Sequence, residues 1–300
     1  MRKILLTGVN GQVGNALEQR LSDEYHLTAL SREQLDLTRE DEIRRVVQLI
    51  KPDVIINPAA YTAVDKAESE QDLAYAINAT APQVLAEEAL KLNAGLIHFS
   101  TDYVFDGTKS EPYVETDQVN PLGVYGKTKL AGEQLITEVG LPHLILRTSW
   151  VYGAYGKNFL KTILRLGSER DQLRIVADQF GAPTSSISIA AGVQQLLKVW
   201  HKNNNVQSGI YHFTNAGSTS WHGFTCQIIQ DYQQHAIAAG MPALKLKLEN
   251  IEPITTAEYP TPAKRPANSR LNNAKLESTF NITLPAWQDG LREVIALLER

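Results

Sequence analysis

Ile4-Leu5-Leu6-Thr7-Gly8-Val9-Asn10-Gly11-Gln12-Val13-Gly14 decides the fold of this chain. An apolar strand over residues 4–7 runs into three glycines spaced G-x-x-G-x-x-G, and a helix over 12–21 follows at once. In such a turn Gly8 permits the tight bend, Gly11 lets the backbone approach a pyrophosphate, and Gly14 lets the helix pack close to its strand. The helix N-terminus adds unpaired N–H groups and a positive dipole end for the anion. The spacing differs from the commoner G-x-G-x-x-G, and three glycines can make a plain turn. Their place between a buried strand and a helix points to a nucleotide site.

Outward from this turn, short apolar strands alternate with amphipathic helices, the pattern of an α/β parallel sheet. Strands are expected at 27–30, 53–57, 96–100 and 143–147, with helices over 40–50, 72–92 and 121–139. The last of these helices is read with Asn120 as its cap and Pro121 in its first turn. Beyond residue 150 the alternation loosens. Helices are expected near 158–166, 187–200 and 221–239, separated by irregular proline-rich stretches such as 258–266. The reading is a Rossmann-type doubly wound sheet (1–150) followed by a smaller C-terminal α/β lobe for substrate (151–300), with segments crossing between them.

The chain has 300 residues, 43% of them hydrophobic, enough for a sizeable core. Its 29 basic and 33 acidic side chains leave a formal charge of −4. That balance argues against a nucleic-acid or anionic-membrane partner. No stretch reaches the length of a membrane span or reads as a signal peptide. The single cysteine, Cys226, forms no internal disulfide and reads as a core thiol in a helix, so a cytoplasmic setting is expected.

Two further features carry chemistry. Tyr125 and Lys129 stand one helical turn apart on one face of the predicted helix. A nearby ammonium is expected to lower the phenol pKa from about 10 toward neutrality, making Tyr125 a proton donor to a carbonyl. Lys129 would also reach a nicotinamide ribose, though an ion pair with Glu133 is an equally ordinary fate for it. Ser100-Thr101-Asp102 ends the fourth strand at the carboxyl edge of the sheet, where ligands of open α/β folds bind. The Thr101 hydroxyl there would align the carbonyl, or simply cap the backbone. At the end of the second strand, where NAD-specific proteins often carry an acidic residue, the chain reads Leu30-Ser31-Arg32. Arg32 would favour a 2′-phosphate and hence NADPH, unless it only points into solvent.

The glycine turn, the strand-end hydroxyl and the tyrosine–lysine pair together resemble the extended short-chain dehydrogenase/reductase superfamily. Segments 57–68, 100–107 and 147–153 in the first lobe look like the dTDP-4-dehydrorhamnose reductase family. So do Asp178-Gln179-Phe180-Gly181-Ala182-Pro183-Thr184 and Arg265-Pro266-Ala267-Asn268-Ser269-Arg270-Leu271 in the second. The resemblance implies reduction of the C4 keto group of dTDP-4-dehydro-β-L-rhamnose by NADPH or NADH. It places Gly11, Gln12 and Val13 at the cofactor phosphates, beside Gly8 and Gly14. Asp36 and Leu37 fall at the adenine, and Ala60, Tyr61 and Thr62 along the middle of the dinucleotide. Phe99 is counted with the cofactor residues. Thr101, Tyr125 and Lys129 are the implied catalytic set, with Asp102 and Trp150 at the sugar. Arg265 is the candidate for the substrate diphosphate, and Asn158 and Trp221 are further substrate candidates.

Some family members dimerise through a metal held by carboxylates. The matching positions here read Ala16 and Ile187, which cannot bind a hard cation. No metal is expected, and a monomer or a dimer assembled without one is. Two other readings stay open on the sequence. One is a nucleotide-sugar dehydratase or epimerase, although Asp102-Tyr103 lacks the Asp-Glu pair of dehydratases. The other is a non-catalytic subunit resembling the regulatory subunit of methionine adenosyltransferase.

Overall fold

Strands without a polar face need cover on both sides, and this requirement shapes the first half of the chain. The computed structural model describes residues 2–203, 206–240 and 242–298. β1 (Lys3–Leu6), β2 (His26–Ala29), β3 (Val54–Asn57), β4 (Gly95–Thr101) and β5 (His143–Thr148) lie side by side. They are connected by α1 (Gln12–Leu21), α2 (Glu40–Ile50), α3 (Val64–Ala67), α4 (Gln71–Tyr75), α5 (Ala81–Lys91) and α6 (Val124–Val139). After β5 the chain forms β6 (Val151–Tyr152), α7 (Phe159–Glu169), β7 (Leu173–Val176), β8 (Phe180–Gly181), β9 (Thr184–Ser185) and α8 (Ser186–Asn203). It then forms β10 (Gly209–His212), β11 (Thr219–Ser220), α9 (Trp221–Ala239), β12 (Ile251–Ile254), β13 (Asn268–Ser269), α10 (Ala274–Phe280) and α11 (Trp287–Leu297).

The main sheet is parallel throughout, in the order β10-β5-β4-β3-β1-β2. Its order reverses between β1 and β3, which opens a crevice beyond their carboxyl ends. This is the doubly wound α/β sheet that the alternating pattern predicts. Successive strand residues point to opposite faces and so feed two cores. Ile4, Leu6, Ile56, Ile97 and Leu144 pack with residues of α1 and α8, while Leu5, Ile55, Leu96 and Ile145 pack with residues of α2, α5 and α6. A third cluster, including Tyr152, Leu160, Phe224, Ile228 and Leu291, joins α7, α9 and α11.

Three departures from the sequence reading have physical causes. The helix expected from Pro121 begins at Val124, with Gly123 as its cap residue. Asn120 is engaged elsewhere, since its amide donates to Asp106 at 3.1 Å. The first helical N–H is capped instead by the Glu68 carboxylate, which accepts from Val124 at 2.9 Å. The helix expected over 72–92 contains a π-turn, Ala76–Thr80, between α4 and α5. Pro82 explains it: proline has no N–H to give the Asn78 carbonyl four residues back, and its ring crowds that carbonyl. Finally, β10 returns to the main sheet beside β5, and α8 packs on α1 through Arg20 and Gln194, 2.8 Å apart. The sequence reading had no strand there, because four residues of mixed polarity carry no period.

Cys226 lies in α9 against the third core, where burial raises its thiol pKa. The His222 ring stands 3.8 Å from its sulfur, a basic neighbour that the sequence reading had not found.

Candidate active site

The glycine turn adopts the geometry its spacing requires. Gly8 has φ +62°, and a Cβ there would meet Ala59 at 2.9 Å. A Cβ on Gly14 would fall 2.2 Å from the Gly8 carbonyl oxygen, so this residue brings α1 against the loop. The turn borders a cleft of about 570 Å³ along the carboxyl ends of β1, β3, β4 and β5. Every residue assigned to the cofactor from the sequence lines that cleft, from Gly8 and Arg32 at one end to Tyr125 and Lys129 at the other. A dinucleotide therefore has a continuous groove with an amide-lined turn for its phosphates.

Within the groove several side chains have defined tasks. Gln12 donates to the Val151 carbonyl at 3.3 Å and accepts from Asn158 at 2.9 Å, which ties the turn to the segment after β5. Asp36 accepts from the Thr38 backbone N–H and hydroxyl at 3.0 and 2.8 Å, and these bonds hold its pKa below the usual value. Asn78, in the π-turn, clasps the Tyr61 backbone by accepting from its N–H at 2.9 Å and donating to its carbonyl at 3.1 Å. The extra residue of the π-turn thus supports the segment 60–62 from below.

The three residues read as catalytic from the sequence lie on β4 and α6. Thr101 donates to Asp102 Oδ1 at 3.0 Å and accepts from the Tyr103 backbone at 3.2 Å, beside the Tyr125 phenol, whose pKa it lowers. It therefore caps a turn next to the tyrosine. Lys129 is 1% exposed, donates to the Phe99 carbonyl at 2.6 Å and stands 3.1 Å from His98 Nε2. Its ion-pair alternative is ruled out by geometry. Glu133 is buried and forked by Arg147 at 2.9 and 2.6 Å.

The pKa pattern differs from the sequence reading. Loss of solvation raises the Tyr125 phenol well above its ordinary value, Thr101 lowers it somewhat, and the Asp102 charge raises it again. Lys129 is not among the groups that lower it. Burial lowers Lys129 itself to about 8, partly offset by Glu133. At neutral pH the phenol holds its proton and the lysine is charged, the states required to protonate a carbonyl oxygen. Burial also pushes Asp102 up to about 6.

The substrate candidates separate into groups. Asp102 is beside Thr101, with its Oδ2 buried, and the Ser269 side chain near it partly offsets the effect of burial on its pKa. Trp150, at φ +48°, stacks on Trp221 with ring centroids 3.5 Å apart and planes 9° apart. A left-handed bulky residue is a genuine outlier, and such strain clusters at functional sites. Arg265 is paired with Asp65 at 2.8 Å and lies near Tyr103, whose pKa it lowers and whose ring meets Tyr125 edge-on. Asn158 is the exception. Its side chain caps α7 and donates to Gln12 and the Gly153 carbonyl, so its groups are committed within the protein.

The sequence reading missed several lining residues. Ser100 and Thr148 have buried hydroxyls without partners among the described residues, and both line the cleft. Thr7 lines it as well. All three lie at strand carboxyl ends, so applying the strand-end rule to every strand would have found them. Gly156 and Lys157, from the loop before α7, also border the cleft and carried no local signal.

The family described as RmlD substrate binding domain matches residues 1–300. A dTDP-4-dehydrorhamnose reductase from Burkholderia thailandensis is 47% identical over 289 residues, covering 95% of each chain. The chain belongs to the dTDP-4-dehydrorhamnose reductase family. A crystal structure of the family from Clostridium acetobutylicum superposes with a TM-score of 0.88 at 41% identity, covering 99% of this chain and 100% of that one. Another from Bacillus anthracis, in complex with NADP, gives 0.88 at 37% identity, covering 99% of each chain. As a member of this family the chain is an NAD(P)H-dependent oxidoreductase. No helix among the described residues is long and apolar enough to cross a membrane.

Proposed function

We propose that this chain reduces the C4 keto group of dTDP-4-dehydro-β-L-rhamnose to give dTDP-β-L-rhamnose. The observation that carries this reading is that Tyr125 and Lys129 line the glycine-turn cleft, with Thr101 next to the cleft-lining Ser100 at the end of β4. The catalytic residues are Tyr125, Thr101 and Lys129. Gly8, Gly11 and Gly14 with their backbone N–H groups would hold the cofactor phosphates, and Lys129 its nicotinamide ribose. When bound, the reduced nicotinamide supplies the hydride for carbon. Tyr125 supplies the proton for oxygen, and Thr101, beside the phenol, would keep the carbonyl oxygen against it. Asp102, beside Thr101, would accept from a sugar hydroxyl. The stacked Trp150 and Trp221 would form the wall of the sugar pocket, and Arg265 would exchange Asp65 for the substrate diphosphate.

The residues after 150 supply the sugar-binding lobe in this account, apart from α8, β10 and α10, which pack with the main sheet. The test is to follow NADPH absorbance with dTDP-4-dehydrorhamnose present. Stoichiometric oxidation is expected. An epimerase or dehydratase would convert sugar without consuming reduced cofactor, and a binding subunit would do neither. Running the assay with NADPH and NADH on wild type and Arg32→Ala tests the 2′-phosphate reading. Arg32 is exposed at the mouth of the cleft, and NADPH preference is expected to fall in the variant.

A further inference from the structure

On the face of the sheet covered by α6, Leu5, Ile55 and Leu96 form an apolar row. Two residues further along each strand the row turns polar: Thr7, Asn57 and His98. All three are buried, Asn57 and His98 at 0% exposure. They form one chain of hydrogen bonds. Thr7 Oγ1 is 2.6 Å from Asn57 Oδ1, Asn57 Nδ2 is 3.1 Å from His98 Nδ1, and His98 Nε2 is 3.1 Å from Lys129 Nζ. An imidazole deep in an apolar strand is costly unless its polar atoms are engaged. Here both ring nitrogens are, one of them by the lysine of the active site.

A neutral imidazole has one donor and one acceptor. With the Asn57 amide donating to Nδ1, the proton lies on Nε2 and faces Lys129, which suits only an uncharged amine. Turning the amide by 180° leaves every heavy atom in place and reverses each donor. Nδ1–H then donates to Asn57 Oδ1, Asn57 Nδ2 donates to Thr7, and Nε2 is bare to accept from an ammonium. The two arrangements differ by the proton on Lys129.

We propose that His98 is a positioning residue for Lys129: its bare Nε2 accepts from the Lys129 ammonium, with the tautomer set by Asn57 and Thr7. The Phe99 carbonyl takes a second N–H of the ammonium, which leaves the third for the cleft that Lys129 lines. His98 thereby keeps a desolvated lysine charged and aimed at the cofactor ribose. This rests on the reductase reading for its consequence in turnover, but the tautomer itself is independent of the sugar. The other ionisable groups around the chain are Tyr125 and Glu133 on α6, Asp102 beyond β4 and Arg147 on β5, the last paired with Glu133.

The first test is nitrogen NMR of histidine-labelled wild-type protein with NADP+ bound, His98 being assigned as the signal missing from His98→Gln. Nδ1–H with a bare Nε2 at neutral pH is the expected result, and Nε2–H would overturn the proposal. The second test uses His98→Leu, which removes the acceptor, and His98→Gln, whose terminal amide oxygen reaches the position of Nε2. His98→Leu should raise KM for NADPH about tenfold, the loss of one hydrogen bond to a charged group. It should also move the basic limb of kcat/KM to lower pH, and His98→Gln should restore both. Equal behaviour of the two variants would contradict the proposal. A protein with the Nδ1–H tautomer that leaves dTDP-4-dehydrorhamnose unreduced would overturn the reductase reading and leave this one standing.

Discussion

Tyr125 and Lys129 have opposite displacements from their ordinary pKa values, and both come from lost solvation. The phenol is harder to ionise and the ammonium easier to discharge, and near neutral pH both still carry their protons. Tyr125→Phe removes that proton while leaving the ring in place. It should lower kcat by roughly 10²–10⁴-fold, with dTDP affinity, measured by calorimetry, nearly unchanged. The pH dependence follows from Lys129. Its charged form persists below about 8 and is lost as the pH rises through that value, whereas the phenol keeps its proton beyond it. The kcat/KM for reduction should therefore fall above about pH 8, and a profile flat to pH 10 would remove Lys129 from the role. These two residues were legible as a motif. Their environment was not, because desolvation and the His98 contact arise from residues on other strands.

At the level of elements, regular features were readable and irregular ones were not. The bounds of α1, α2 and α9 follow directly from periodicity and terminal residues. The start of α6 did not, because its cap comes from Glu68 rather than from Asn120. The π-turn was also hidden, although Pro82 was in plain view inside the expected helix. α6 packs on that π-turn so closely that a Cβ on Gly132 would stand 2.2 Å from the Asn78 carbonyl oxygen. Gly132→Ala should thus push α6 off the π-turn. Overpacking of this kind costs about 1–3 kcal/mol, readable in urea unfolding. Because Asn78 clasps Tyr61, cofactor affinity should fall with it. Wild-type stability in the variant would mean that the two helices are not in such close contact.

For the whole molecule, the glycine turn and four apolar strands announced the parallel sheet. The second lobe announced only helices, since its strands are two to four residues long and pair across distant segments. The proposed sugar-binding residues were legible only through resemblance. Trp150 and Trp221 stack although they are far apart in the sequence, and no local pattern links them. Assembly is open to direct measurement. Ala16 and Ile187 are packed against the apolar clusters and offer no oxygen ligands, so EDTA should leave the mass found by light scattering unchanged. Dissociation of a dimer by EDTA would contradict this. The central claim is hydride delivery to one carbon of one sugar. Turnover of dTDP-4-dehydrorhamnose with NADPH deuterated at the transferred position should give dTDP-rhamnose carrying a single deuterium at C4, seen by NMR. Deuterium at another carbon, or a product containing none, would contradict the account.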